Sequence, residues 1–235
     1  MSPMSITHEV LGQTVTMPVE VRDGTSATAI FDVDLAAAQA LAPAGFQAIE
    51  ATPGRAQFAL ALIDYKDNDL GSYYEIGTIL FVRPEGGRED GTEDGNFITH
   101  LPVNQEFTCA AGNQIWGFPK SVEQIDVTNT ETTSRWVLTM DGELVLDITV
   151  PRGGTDEMPP LPMASYTLID GAPHVTRFSQ GGSGVGMGFG DGVTLTLGTH
   201  PIAKELASLG LPDAPVVITT WCESMRATFE EPTAL

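Results

Sequence analysis

The sequence predicts a β-rich α+β fold, mostly antiparallel, served by a few short helices. Three observations carry this. Apolar and polar residues alternate with period two over long stretches, the pattern of strands with one buried face. Asp141-Gly142 stands between two apolar-rich runs, a strong signal for a tight type I′ hairpin turn. Helical signals are confined to three short stretches, each bounded by recognisable caps or stops.

Taken in order, the first strand is expected over Ala27 to Val33. Asp34 can then cap a helix from Leu35 to Leu41, which Pro43 stops. Strands follow at Ala56 to Asp64, Tyr73 to Val82 and Gly95 to Pro102. Glu85 to Gly95, acidic and Gly-rich, reads as a solvated hairpin tip. Asn104 can cap a turn or two ending at Gly112. Arg135 to Met140 and Glu143 to Ile148 form the Asp-Gly hairpin, and later strands are expected at Ser165 to Ile169 and Val175 to Ser179. Gly181 to Gly192 holds seven glycines and reads as a loose loop or flap. It is no phosphate cradle, because it lacks GxGxxG spacing and runs into a strand rather than a helix. A strand at Val193 to Leu197 precedes a helix that Pro201 opens, Ile202 to Leu209, with Gly210 and Pro212 as stops. Ile202, Leu206 and Leu209 share one face of that helix, which leaves Lys204 and Ser208 to solvent. Val216 to Phe229 is the last strand.

At 235 residues, with 42% hydrophobic and 18% charged, the chain is globular and reads as one domain over 1–235. No apolar stretch approaches the roughly 18 residues of a spanning helix. The run Met1 to His8 has neither the basic nor the apolar region of a signal peptide, so a cytoplasmic location and no membrane contact are expected. Net charge is -20 with a pI near 4.2, and that field repels phosphate, which argues against nucleic-acid partners. Cys109 and Cys222 make no CxxC and read as small apolar residues.

Few residues offer chemistry. His8, His100, His174 and His200 are scattered with no HxxxH or HExxH, so no metal site is expected. Asp64 to Gly71 is acidic but lacks the spacing and closing Glu of a calcium loop. Gly182-Ser183-Gly184 falls short of a nucleophile elbow. Lys120 is different. It is one of three lysines, beside Lys66 and Lys204, and closes the run Gln114-Ile115-Trp116-Gly117-Phe118-Pro119-Lys120. An apolar surround disfavours the ammonium, and a neutral amine can attack a carbonyl to form a Schiff base. Read alone, Phe-Pro-Lys is a surface turn. Glu75 lies in Gly71-Ser72-Tyr73-Tyr74-Glu75-Ile76-Gly77. Strand alternation puts Tyr73, Glu75, Gly77 and Ile79 on one face and Tyr74, Ile76 and Thr78 on the other. If the first face is interior, Glu75 needs a partner.

The two segments together, Asp64 to Gly77 and Gly112 to Lys120, resemble the acetoacetate decarboxylase superfamily. A weaker likeness reaches the Asp34 helix and His200-Pro201-Ile202-Ala203. The resemblance implies a closed, mostly antiparallel barrel or cone around an apolar pocket, in a homo-oligomer. It implies Lys120 as the Schiff-base lysine, Glu75 as the acid/base carboxylate and Arg22 as the group orienting the substrate carboxylate. Phe118 stands where an aromatic wall residue belongs, and Trp116 and Tyr74 are expected to line the same pocket. The substrate is then a small keto acid, with no metal or cofactor required. Two departures weigh against acetoacetate itself: Ser121 replaces the lysine that follows the reactive one, and Leu60 and Ala61 stand where a second carboxylate is expected. The leading expectation is decarboxylation of a β-keto acid such as acetoacetate through a Lys120 imine. The alternatives are an imine-dependent aldolase or dehydratase, and a non-catalytic barrel holding an apolar small molecule.

Overall fold

A computed structural model describes residues 6–89 and 91–235. Met1 to Ser5 of the N-terminal run, and Asp90 of the acidic tip, lie outside the described residues. Seven long strands build the body: β1 (Val19–Asp34), β2 (Arg55–Asn68), β3 (Tyr73–Pro84), β4 (Gly95–Val103), β5 (Asp156–Ile169), β6 (Ala172–Gly188) and β7 (Val216–Phe229). They pair in the order β3-β2-β1-β7-β6-β5-β4, and β4 returns to β3, so the sheet closes into a barrel. Every join is antiparallel except β5 to β4, which is parallel and short: Ser165 opposite Asn96 and Tyr166 opposite Phe97. The barrel and predominance of strands agree with the predicted class. No helix of the described residues is long and apolar enough to cross a membrane.

Alternation on β3 explains why both faces of the barrel wall are apolar. Tyr73, Glu75, Gly77, Ile79 and Phe81 turn inward to a cavity. Ile76, Leu80 and Val82, each fully buried, turn outward. That outer face is covered by a four-stranded sheet, Gln124–Asn129, Thr133–Met140, Glu143–Pro151 and Thr194–Leu197, which contributes Trp136, Leu138, Leu146 and Ile148 to the shared core. Asp141 (φ 53°) and Gly142 (φ 78°) both take the left-handed conformation, as a type I′ turn requires.

The helices follow their caps. In α1 (Leu35–Leu41) the Asp34 side chain accepts from the Ala37 N–H at 2.9 Å. The last helix (Pro201–Ser208) starts with proline in its first turn, capped by the His200 ring, and buries Ala203 and Leu206. Between them, α2 (Glu106–Ala111) departs from expectation twice. Gln105, not Asn104, caps it, accepting from Thr108 N–H at 2.6 Å, while Asn104 accepts from the Tyr74 N–H. The helix also continues past Gly112 as a π-helical turn to Trp116, ending at left-handed Gly117.

The stretch Gly181 to Gly192 is mostly strand rather than loop. Its first eight residues belong to β6, flanked by β5 and β7. Glycine is needed there because neighbouring backbone fills the space a side chain would take: a Cβ on Gly181 would meet Met158 O at 2.7 Å, and one on Gly182 would strike Ser224 O. These close approaches accompany register shifts in the pairing with β5, and β7 carries further shifts in its pairing with β1. Met187 and Phe189 point to solvent at its end.

Candidate active site

Lys120 reaches the barrel interior because the chain turns sharply after the π-helical segment. Gly117, at φ 68°, reverses direction, and Phe118 and Pro119 lead into a short strand, Lys120–Val122, that runs parallel to β4 with Lys120 opposite Leu101. The lysine stem lies against Gly112, where a Cβ would come within 2.5 Å of Lys120 Cδ. Gly112 therefore keeps the corridor along which the side chain enters.

At its end, Lys120 Nζ stands 2.7 Å from Glu75 Oε2, with the two side chains only 5% and 7% exposed. The amine also donates to Thr108 Oγ1 at 3.0 Å and to the Tyr73 hydroxyl at 3.5 Å. Tyr65 donates to the other carboxylate oxygen, Glu75 Oε1, at 3.2 Å and stacks on Tyr73 with centroids 4.4 Å apart. Removing an ammonium and a carboxylate from water costs several kcal/mol per ion, so their mutual attraction and these hydrogen bonds must offset it. Among the described residues, no aligned hydrogen bond reaches Oε2. The amine lies against that oxygen, which makes Oε2 the natural acceptor of its proton.

The electrostatics correct one expectation. Burial pushes the Lys120 ammonium toward the neutral amine, but Glu75 and the Tyr73 oxygen beside it outweigh burial and hold the lysine above its ordinary range. At rest it is the charged half of an ion pair. Burial, reinforced by Glu75, also raises the phenols: Tyr73 to about 12, despite the opposing Lys120 charge, and Tyr65 well above its usual value.

The pair opens onto a cavity of about 380 Å³ inside the barrel. Phe118 and Trp116 line it; Trp116 is anchored by donating its ring N–H to Glu230 O and stacks on Phe118. Two expected residues are elsewhere. Arg22 is on the outer surface of β1, paired with Asp67 and Asp69, and does not line the cavity. Tyr74 points out of the barrel and packs edge-on against Trp136, because it alternates with Glu75. Sequence reasoning missed Thr108, Tyr65 and Gly112. Gly112 was within the quoted motif, and Tyr65 is the cross-strand partner of Tyr73. Nothing in the sequence brought Thr108 to Lys120. Among the described residues no cluster could hold a metal ion.

The family profile of acetoacetate decarboxylase (ADC) matches residues 2–232. The chain belongs to the acetoacetate decarboxylase family. It is similar in structure to an acetoacetate decarboxylase from Legionella pneumophila, at 18% identity and a TM-score of 0.68, covering 93% of this chain and 87% of that one. It is similar as well to the enduracididine biosynthesis enzyme MppR complexed with pyruvate, at 18% identity and a TM-score of 0.62, covering 92% and 90%. An acetoacetate decarboxylase-like enzyme from Sphingomonas wittichii aligns at 14% identity and a TM-score of 0.61, covering 94% of both chains. No curated protein sequence matches. At these identities the structural likeness establishes the acetoacetate decarboxylase fold, not a shared reaction.

Proposed function

We propose that the protein is a Schiff-base lyase that decarboxylates a β-keto acid, with Lys120 as the amine and Glu75 as its acid and base. The observation that supports this reading is the 2.7 Å contact between Lys120 Nζ and Glu75 Oε2 inside an apolar cavity. A keto acid displacing water from that cavity favours passage of the lysine proton to Oε2, leaving a neutral amine beside a carboxylic acid. The amine attacks the keto carbon, a C–N bond forms, and a proton moves from nitrogen to oxygen. Glu75 then protonates the departing hydroxyl, water leaves, and an iminium remains facing the Glu75 carboxylate.

The C–C bond to the carboxylate breaks next. Its electron pair passes into the iminium to give an enamine and carbon dioxide. A proton drawn from solvent through Glu75 is delivered to the enamine carbon, and water hydrolyses the imine to release a ketone. Each turnover consumes one proton. The apolar walls favour the middle step, since the carboxylate charge disappears as it leaves.

The same iminium supports a second reading, aldol addition or dehydration at the carbon next to the imine. The observation in its favour is that Lys120 is the single Lys or Arg among the described residues lining the cavity, with Ser121 after it and Arg22 outside. A carboxylate thus has no cation but the imine to rest on. Borohydride reduction with keto acids, followed by peptide mass analysis, tests the shared step: the adduct should fall on the Lys120 peptide and vanish in Lys120→Ala. No adduct with any keto acid sinks both readings in favour of a binding barrel. Carbon dioxide release on adding β-keto acids then selects decarboxylation.

A further inference from the structure

The barrel is hollow for a local reason. Successive inward residues pair across the strands in layers. The layer at the amine holds Ser26, Ile63 and Glu75. One step along, Thr28 faces Ala61, which faces Gly77, with Thr220 beside Thr28. Three adjacent strands thus present a hydroxyl-bearing stub, a methyl and nothing where a small barrel normally fills its middle with large side chains. Beyond them Ile30, Ala59 and Ile79 form an apolar third layer, and Phe81 marks the next.

From Glu75 to Phe81 is six strand residues, roughly 20 Å along the barrel at the usual rise. The cavity of about 380 Å³ holds on the order of a dozen water-sized volumes. A compact keto acid engaged at Lys120 fills only the first layer or two. Thr28, Thr220 and Gln180 line the remainder among apolar walls. Asn96 and Ser165, near Phe81, are bonded to each other, Ser165 donating to Asn96 Oδ1 at 2.6 Å. No Lys or Arg other than Lys120 lines the cavity among the described residues. Access is apolar too: Leu161 and Met163, 48% and 41% exposed, line the cavity where it meets solvent.

We infer that the substrate is a keto compound carrying an extended apolar tail, an alkyl chain of medium length, which runs from Lys120 through the gap at Ala61 and Gly77 toward Phe81. This rests on the Schiff-base reading for the headgroup, but the tail site stands on the layer geometry alone. Burial of each methylene strengthens transition-state binding, so kcat/KM should rise by about fourfold per added methylene from acetoacetate to a β-keto acid with an octyl tail. A flat or falling series overturns the inference.

Ala61→Phe places a ring in the second layer and should lower the ratio of kcat/KM for the octyl substrate to that for acetoacetate by about tenfold. An unchanged ratio overturns it. Calorimetry of methyl alkyl ketones with Lys120→Ala reads the tail site without the imine: affinity should climb with chain length, and a length-independent affinity counts against the tail site. Length-dependent binding without borohydride trapping on Lys120 in the unmodified protein would instead sink the Schiff-base reading and leave the tail site standing.

Discussion

Lys120 carries its charge into the barrel and keeps it because Glu75 is there. Glu75→Gln leaves burial nearly unopposed, so Lys120 should titrate below the ordinary lysine value of about 10.4 in the variant and above it in the unmodified protein. The pH dependence of amine modification at Lys120, read by peptide mass, checks this; an equal or higher value in the variant would refute the ion-pair account. The stability consequence has a definite sign. A folded-state pKa above the unfolded one contributes stability that is complete below about pH 10.4 and is lost as pH rises through the folded value. Lys120→Met should reduce the alkaline loss in melting curves, leaving the part that the raised Tyr65 and Tyr73 phenols contribute. Gly112→Ala should slow borohydride trapping by about a hundredfold by displacing the lysine stem, the scale of loss expected from an ångström of misplacement. Arg22→Ala should leave turnover unchanged, since Arg22 pairs with Asp67 and Asp69 on the outside; a large loss would bring it back to the site. At this scale the sequence was informative where one motif held the residue. Lys120, Glu75, Phe118 and Trp116 meet in the cavity. Tyr74 was misplaced, although alternation alone sets it on the face opposite Glu75. Thr108 and Tyr65 could not be read, because tertiary packing and strand register, not spacing, bring them to the pair.

Element boundaries were legible wherever a single residue type forces the backbone. Asp34 and Pro43 delimit α1, Asp141-Gly142 makes the hairpin, and Pro201 starts the last helix. The reading failed at β6, where glycine signalled close backbone approach rather than a loop. The two cases separate by measurement. Asp34→Ala should cost about 1 kcal/mol through loss of the α1 cap. Gly182→Ala should cost about 1–3 kcal/mol through collision with β7 backbone, as overpacking does. Chemical denaturation gives both. A neutral Gly182→Ala would mean that β6 yields as a loop does. The π-helical turn after α2 was also illegible: nothing in Gly112 to Trp116 distinguishes it from an ordinary helix end, yet it sets the direction in which Lys120 enters.

Across the whole molecule, barrel closure depends on pairs far apart in sequence, β1 with β7 and β5 with β4, so periodicity yields the strands and not their circle. The family resemblance supplied the barrel; the layer of small residues appears only once register is known. Charge acts at this scale as well. A net charge of -20 repels an anionic keto acid on approach, and salt screens that repulsion. Raising ionic strength from low values should therefore increase kcat/KM for a carboxylate substrate, with no such rise for adduct formation from a neutral ketone. A decrease for the acid would point to a local cationic path.

The parallel join between β5 and β4 spans two residue pairs, after which the ladder stops and Leu161 and Met163 face solvent. This suture is the thinnest part of the wall, and a cylinder breathes where its suture is thinnest. Backbone amides of β5 that point across it should exchange with deuterium sooner than those shared with β6, and a cavity occupant should slow them by bracing the gap from within.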